Sequence, residues 1–348
     1  MTAQTRFDRH PRVRLLDGPT PIQRLRRVEA ALGPGLNGTR LFVKRDDLTG
    51  LGGGGSKLRK LEFLFGEALA RGADTVVATG PRQSNSVRLV AAAAARLGLR
   101  CEVGLRPLSA DDGAAYRQNG NVLLDGLFGA VVHELPGAEA AARFGLERES
   151  ALAGHGRVAF VMPPGASSPV ASLGYAECAL EIADQEHALG LRFDRVVVPN
   201  GSAATQAGLV AGFGLLERRS LVHGFSVLAP VAQAHHATLE LARAAWALLE
   251  GDGELEADDV VVSDAHRGTG YGRVTPEAVG ALRFLAAQEG LLLDPVYSAT
   301  AFAGLLCLAR RGELGAHANV LFVMTGGTPA LFAYRDELAC LPMKAARR

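Results

Sequence analysis

A run of glycines followed directly by a lysine is the first feature of the chain that could do chemistry. Segment 52–57 reads GGGGSK, and a basic helical pattern follows it. Glycines let a ligand approach the main chain, and the start of a helix offers free N–H groups to an anion. A nucleotide-binding P-loop would need Gly-x-x-x-x-Gly-Lys-Ser/Thr, which is absent here. Lys57 is better placed as an imine-forming amine, although a mobile glycine loop before an ordinary helix is the plain alternative.

Two further segments place small and polar residues between an apolar strand and a helix. Segment 80–88 reads GPRQSNSVR, in which Ser84 or Asn85 can cap the next helix, and segment 199–208 reads PNGSAATQAG. Exposed amides at a helix start suit a carboxylate at the first segment and a phosphate at the second. Ordinary capping explains each segment equally well on its own. The second segment lacks Gly-x-Gly-x-x-Gly, which disfavours a dinucleotide.

A later group contains two tyrosines and a pair of glycines. Tyr271 lies between glycines, and Tyr297 precedes a predicted helix. Each could transfer a proton or stack on a ring, and each could instead pack at the edge of the core. Thr325 and the two glycines after it follow an apolar strand, where open parallel sheets bind their ligands.

Short β-branched runs alternate with Ala/Leu-rich helical stretches, which predicts βαβ units and a parallel sheet. The predicted strands cover residues 40–44, 75–79, 100–105, 131–133, 195–198, 222–227 and 320–324. The predicted helices cover residues 57–71, 85–97, 172–189, 232–249, 276–288 and 299–310. The fold class is therefore α/β.

The composition excludes several classes of function. The 348 residues are 48% hydrophobic and 21% charged with a net charge of +1, so no global field would attract nucleic acid or an anionic membrane. The four cysteines form no Cys-x-x-Cys pair, which argues against a metal site. Since no stretch has about 20 uninterrupted apolar residues, we expect a cytoplasmic protein with a small-molecule ligand and no membrane partner.

Taken together and in this order, the segments resemble the pyridoxal 5'-phosphate (PLP) dependent family that contains 1-aminocyclopropane-1-carboxylate (ACC) deaminase and D-cysteine desulfhydrase. The resemblance runs from Thr20 to Tyr334. It implies the fold of the tryptophan synthase β type, called fold type II, with two open, twisted, mostly parallel sheets and flanking helices. It also implies a small domain of residues 66–170 inserted into a large PLP-binding domain of residues 1–65 and 171–348, and a homodimer.

The resemblance also implies roles for individual residues. Lys57 matches the Schiff-base lysine, and Lys60 matches a residue that contacts the cofactor phosphate. Ser84 and Asn85 match the pair that binds the substrate carboxylate and the cofactor ring hydroxyl, and Gln83 beside them is a further candidate for substrate binding. The remaining matches are the phosphate loop and the two active-site tyrosines, namely Ala203, Ala204, Thr205, Tyr271 and Tyr297.

Two positions separate the activities within that family. The deaminases of the family have Glu directly after the second tyrosine and Leu directly before the Gly-Gly pair. The desulfhydrases have hydroxyl residues at both positions. This chain has Ser298 and Thr325, which favours the desulfhydrase side. A carboxylate beside the pyridine nitrogen would make the ring a strong electron sink, suited to opening a cyclopropane. A hydroxyl beside the pyridine nitrogen makes the ring a weaker electron sink, which suffices when a good leaving group is attached to Cβ. Thr325 is the candidate partner of the pyridine nitrogen.

The chain also departs from the family pattern, mainly on the substrate side. Ser86 replaces the usual His of desulfhydrases, Pro81-Arg82 precede Gln83, and Ala299-Thr300 replace Gly-Lys. The expected function is a PLP-dependent lyase that converts D-cysteine to pyruvate, ammonia and sulfide. ACC deamination, β-replacement on a related amino acid, and a non-catalytic ligand-binding role are the alternatives.

Overall fold

The computed structural model describes residues 3–108 and 112–339, and the side chains of residues 5–108 and 112–338. Its strands are β1 Ile22–Arg24, β2 Arg40–Lys44, β3 Thr75–Pro81, β4 Arg100–Arg106, β5 Val131–Glu134, β6 Ala159–Val161, β7 Arg195–Asn200, β8 Val222–Ser226, β9 Val261–Ser263 and β10 Asn319–Val323. Its helices are α1 Ala3–Phe7, α2 Arg26–Leu32, α3 Lys57–Ala70, α4 Asn85–Leu97, α5 Ala114–Gln118, α6 Asn121–Leu127, α7 Ala138–Ala153, α8 Pro169–Leu189, α9 Ala204–Gly214, α10 Val231–Leu248, α11 Pro276–Glu289, α12 Ser298–Arg310, α13 Ala330–Ala333 and α14 Arg335–Ala339.

The strands form two sheets, as predicted. The larger sheet has the order β1-β2-β10-β7-β8-β9, and the smaller has the order β5-β4-β3-β6. All neighbouring strands are parallel except β1 and β2. The α/β fold class with two mostly parallel sheets is therefore confirmed. The four strands of the smaller sheet lie between residues 75 and 161, and the exact division into two domains remains our proposal.

The larger sheet is covered by helices on both faces, which explains the unbroken apolar runs of its central strands. Val196 and Val198 of β7 pack with α8, α9 and α10 in one core, and Val197 packs with α11 and α12 in another. A third core joins α3 and α4 to the smaller sheet. Since side chains alternate along a strand, one sheet can serve two cores at once.

The helices begin and end where the local sequence directs. Ser84 caps α4, its Oγ accepting a hydrogen bond from the Val87 amide at 3.2 Å, and Gly98 in the left-handed region ends the helix. Thr275 caps α11 by accepting a hydrogen bond from the Ala278 amide, and Pro276 is the first residue of that helix. A side-chain oxygen at the cap and a proline in the first turn satisfy or remove donors that the helix itself cannot use. These signals locate the ends of helices without any tertiary contact.

Glycine lets α8 and α9 approach closely. A Cβ on Gly208 would lie 2.1 Å from the Ser172 carbonyl oxygen, so any side chain there would force the two backbones apart. Because α9 begins at the predicted phosphate loop, its depth in the core sets the position of that loop.

We predict that Gly208→Ala destabilises the protein by about 1–3 kcal/mol or more, because the added methyl group overpacks a backbone contact. The matched control is Gly280→Ala on α11, where nothing lies within 4 Å of the added Cβ and the substitution should raise helix stability by up to about 1 kcal/mol. Urea unfolding of both variants provides the measurement. Equal stability of the two would contradict the tight packing of α8 on α9.

Candidate active site

The glycine segment turns sharply and delivers Lys57 to the start of α3. Residues Gly52, Gly53, Gly54 and Gly55 all have positive φ. A Cβ on Gly54 would lie 2.0 Å from a carbonyl oxygen of Asp47, so the turn requires glycine there. The Ser56 amide donates to the Thr325 carbonyl oxygen at 2.9 Å. This bond ties the segment to the end of β10 and brings Lys57 close to Thr325.

The Lys57 amine is buried in a setting that suits a nucleophile. Its Nζ donates a hydrogen bond to the Gly165 carbonyl oxygen at 3.0 Å. Burial lowers its pKa from 10.5 to about 8, because the charged ammonium loses water. A larger neutral fraction near neutral pH is what imine formation requires.

Lys60 lies behind Lys57. It is almost fully buried, and its Nζ is 6.0 Å from the Tyr175 ring centroid. Burial, reinforced by the charge of Lys57, lowers the pKa of Lys60 well below the usual value. Lys60 is not among the residues that line the two cavities described below, so its contact with a cofactor phosphate stays a prediction.

The predicted phosphate loop is a cradle of main-chain groups at the start of α9. Ala203 has φ 66°, an uncommon value for a residue with a side chain, and turns the chain so that α9 can begin at Ala204. Ala203 and Thr205 line a small cavity that Lys57 also lines, whereas Ala204 is fully buried. Free amides at the first turn of a helix suit a phosphate.

The Ser84 turn faces this cradle from the smaller sheet. Ser84 lines a second, larger cleft, and Asn85 lines the smaller cavity. The Oδ1 of Asn85 accepts a hydrogen bond from Asn121 Nδ2 at 2.8 Å. Its Nδ2 therefore remains able to donate toward the cavity.

Gln83 lies outside both cavities, contrary to what its neighbours suggest. Its Nε2 donates to the carbonyl oxygens of Tyr116 and Asn119 at 2.7 and 2.8 Å, and its Oε1 accepts from the Asn121 amide at 2.9 Å. Both ends of the amide are thus used to hold the chain between α5 and α6. The structure does not bring Gln83 to the site, and we assign it this structural role.

The two predicted tyrosines meet. The hydroxyl groups of Tyr271 and Tyr297 are hydrogen-bonded to each other, and the two rings pack edge to face with centroids 6.0 Å apart. Both side chains line the larger cleft. Burial raises the pKa of each phenol, so each keeps its proton at neutral pH.

Two hydroxyl groups meet at the end of β10. Ser298 Oγ and Thr325 Oγ1 are 3.0 Å apart. Thr325 lines the smaller cavity, and Ser298 is fully buried behind it. The predicted substrate contact of Ser298 is therefore not direct in this structure, because Ser298 reaches the cavity through Thr325.

Asp294 positions this region and was missed as a functional candidate. Its carboxylate accepts hydrogen bonds from the amides of Val296, Tyr297 and Ser298 at 3.1, 2.8 and 2.7 Å. One buried side chain thus orients both a phenol and a hydroxyl of the site. An Asp shortly before a helix is a common sequence signal of a side chain that accepts hydrogen bonds from the amides at the helix start.

Arg88 is a second residue that the sequence did not reveal. It is fully buried on α4, and its guanidinium donates to the carbonyl oxygens of Gly52 and Gly54. These bonds hold the glycine segment against the smaller sheet. On sequence alone Arg88 looks like an ordinary helix residue, since only the tertiary fold brings its partners near.

The two cavities form one site. Both are lined by Lys57, Gly201, Ser202 and Tyr297, and the larger cleft has a volume of about 370 Å³. The smaller cavity combines a buried amine, a helix start for a phosphate, the Asn85 amide and the Thr325 hydroxyl. This set of donors fits the aldehyde, phosphate and ring of PLP. Asn200 also lines it, and its Oδ1 has no hydrogen-bond partner, which leaves an acceptor for a bound group.

Comparison with known proteins agrees with this chemistry. The family model described as pyridoxal-phosphate dependent enzyme matches residues 13–326, so the chain belongs to that family and its cofactor is PLP. The D-cysteine desulfhydrase of Serratia proteamaculans (strain 568) is 38% identical over 339 residues, which are 97% of this chain and 100% of that protein. The ACC deaminase of Methylobacterium sp. (strain 4-46) is 38% identical over 333 residues, 94% of this chain and 97% of that protein.

Solved structures support the fold. A crystal structure of an ACC deaminase homologue superposes with a TM-score of 0.84 at 34% identity, covering 98% of this chain and 99% of that one. O-ureido-L-serine synthase superposes with a TM-score of 0.62 at 20% identity, covering 98% of this chain and 96% of that one, and shows the fold alone. The predicted resemblance to the ACC deaminase and D-cysteine desulfhydrase family is confirmed.

Because the pKa of Lys57 is lowered to about 8, we predict that the rate at which apoprotein combines with PLP rises with pH up to about 8 and is constant above it. The sign follows because only the neutral amine attacks the aldehyde, and the neutral fraction grows until the pH passes the pKa. Stopped-flow absorbance provides the measurement, with n-butylamine as the unshifted amine. A rate still rising at pH 10, or an imine absorbance band retained by Lys57→Ala with PLP alone, would refute the assignment of Lys57.

Proposed function

We propose that this protein is a PLP-dependent lyase that eliminates the β-substituent of a small amino acid, as D-cysteine desulfhydrase does with D-cysteine. With D-cysteine as substrate, the products would be pyruvate, ammonia and sulfide. The observation that carries the proposal is the hydroxyl pair of Ser298 and Thr325, whose oxygens are 3.0 Å apart where a deaminase would present a carboxylate. When bound, the cofactor supplies an electron sink for the charge that develops at Cα.

The residues of the glycine segment and the Ser84 turn would bind and deprotonate the substrate. The Ser84 hydroxyl and the first amides of α4 receive the substrate carboxylate at the positive end of the helix dipole. Lys57 Nζ, with a pKa of about 8, accepts the proton from Cα. A lysine with an ordinary pKa would have a far smaller neutral fraction at neutral pH and would be a poorer supply of this base.

The paired tyrosines would supply a proton to the leaving group. Burial holds the pKa of Tyr271 and Tyr297 above the usual value, so the pair carries protons that it can donate but rarely loses to solvent. The hydrogen bond between the two hydroxyl groups lets the second phenol stabilise the first once it has donated. A departing thiolate would leave as the thiol.

ACC deamination is the second candidate function. Relatives named ACC deaminase match nearly the full length of this chain, and so does a solved ACC deaminase homologue. The reaction would yield 2-oxobutyrate in place of pyruvate. The absence of an acid at Ser298 and Thr325 ranks this activity second.

β-Replacement is a third candidate, motivated by the departures from the family pattern. Ser86 and Pro81 line the larger cleft, whereas Ala299 and Thr300 are buried in α12 and line neither cavity. Thr300 Oγ1 donates to the Val296 carbonyl oxygen at 2.8 Å. A smaller residue at position 86 leaves room beside the substrate, and a product that carries an added nucleophile would reveal this reaction.

We expect D-cysteine to give pyruvate and sulfide and ACC to give little 2-oxobutyrate. Thr325→Val, which removes the hydroxyl while keeping the shape, should lower kcat on D-cysteine by roughly 10-fold with little change in KM, a loss typical of one hydrogen bond. Thr325→Ser keeps the hydroxyl and is the matched control. Faster turnover of ACC than of D-cysteine, or equal activity of the two variants, would contradict the proposal.

We also propose that the protein is a cytoplasmic homodimer. The support is the resemblance to the family. In the part of the chain that the structure describes, no helix is long and apolar enough to cross a bilayer. Sedimentation equilibrium at micromolar concentration tests the assembly, and a mass near 36.4 kDa, that of one chain, would refute it.

A further inference from the structure

The larger cleft is lined by positively charged side chains without a carboxylate among the described residues. Its ionisable lining residues are Lys57, Arg106 and the two phenols, and none of the described residues that line it is Asp or Glu. Lys57 is committed to the cofactor. Arg106 is therefore a cation in the substrate space that the proposed reaction does not use.

Arg106 is placed to act on a ligand in this cleft. It is the last residue of β4, at the carboxyl edge of the smaller sheet, and its charge acts on the Tyr271 phenol across the cleft. Within the described residues, the guanidinium has one hydrogen bond, from Nη1 to the Pro107 carbonyl oxygen at 3.3 Å, and no carboxylate pairs with it.

Arginines near Arg106 form salt bridges with carboxylates, whereas Arg106 has no such partner among the described residues. Arg82 pairs with Asp112 and Glu134, and Arg148 pairs with Glu102 of the same strand as Arg106. An arginine that lines a cleft without a carboxylate partner offers a planar set of donors suited to an incoming oxyanion.

In the proposed function, the α-carboxylate of the substrate binds at the Ser84 turn. An anion bound by Arg106 would therefore be a second anionic group. We propose that the preferred substrate carries an anionic group, a carboxylate or sulfonate, on its β-substituent, and that Arg106 binds this group. The inference names the substrate class of the lyase proposed above, and it therefore rests on that function for catalysis but not for binding.

The walls of the cleft leave room for such a substituent. Ala138, Ala141 and Ala142 of α7 present only methyl groups to the space, and Ser86 is small. The cleft of about 370 Å³ lies within the range for small-molecule sites. A thiol does not reach across this space to Arg106, which would leave that part of the cleft to water.

Two leaving groups satisfy the same chemistry. In cysteate the leaving group is itself the anion, and in S-carboxymethylcysteine a thioether sulfur carries it. In both, Lys57 holds the proton lost from Cα and the Cβ–S bond breaks with its electron pair on sulfur. Water then replaces the amine nitrogen, so the products are pyruvate, ammonia and either sulfite or thioglycolate.

Binding is tested first with amino acids that have no leaving group. Holoenzyme is titrated with both enantiomers of aspartate and of alanine, and dissociation constants are read from the visible spectrum of the cofactor. We expect the better aspartate enantiomer to bind roughly 10–100-fold more tightly than alanine, the range of a charge-assisted hydrogen bond. Arg106→Gln should abolish this difference, and Arg106→Lys should retain part of it.

The matched control is Arg100→Gln, at the opposite end of β4 and outside both cavities, which should bind as the wild type does. Equal affinity for aspartate and alanine, or an unchanged difference in Arg106→Gln, overturns the inference. These outcomes do not depend on whether the enzyme is a lyase.

Turnover is tested second, on both enantiomers of each substrate. We expect Arg106→Gln to lower kcat/KM for S-carboxymethylcysteine or cysteate by roughly 10–100-fold and to leave S-methylcysteine and cysteine within about 2-fold. An equal loss on charged and neutral substrates assigns Arg106 to a different role and overturns the inference. Aspartate discrimination without turnover of any substrate refutes the proposed lyase reaction and leaves anion binding in place.

Discussion

The hydrogen bond from the Ser56 amide to the Thr325 carbonyl oxygen is the contact on which the site depends. It joins the glycine segment to the end of a central strand, and so places the amine of Lys57 and the hydroxyl of Thr325 on one cavity. Without this tether a segment of four glycines would have high conformational entropy and would not hold a catalytic amine. Arg88 adds a second restraint, because it binds two carbonyl groups of the same segment from the smaller sheet.

The burial that shapes this cavity also sets its chemistry. The same loss of water lowers the pKa of Lys57 and raises the pKa of the Tyr271 and Tyr297 phenols. The result is an amine that is partly neutral beside phenols that keep their protons, which are the states that the proposed elimination needs at Cα and at the leaving group. A more open cleft would return all three groups toward their ordinary values.

Sequence reasoning succeeded where the determinants are local. Helix α4 begins at Asn85 and ends at Leu97 as predicted, because Ser84 caps it and Gly98 ends it. It was less successful for groups whose roles depend on packing. Gln83 follows the chain into the Ser84 turn, yet its amide is used by residues from α5 and α6. Strands β1, β6 and β9 were not predicted, since each has only three residues and depends on its neighbour in a sheet.

The residues proposed to contact the cofactor and those proposed to contact the substrate side chain come from different sheets. In the proposed site, the larger sheet supplies Thr325 and the predicted phosphate loop to the smaller cavity, where we expect the cofactor to bind. The smaller sheet supplies Ser84 and Arg106 to the larger cleft, where we propose that the substrate binds. A substitution on β4 can therefore change the accepted side chain without altering the electronics of the cofactor. Such a division explains how one fold can keep its chemistry while its substrate changes, and it locates that change at the carboxyl edge of the smaller sheet.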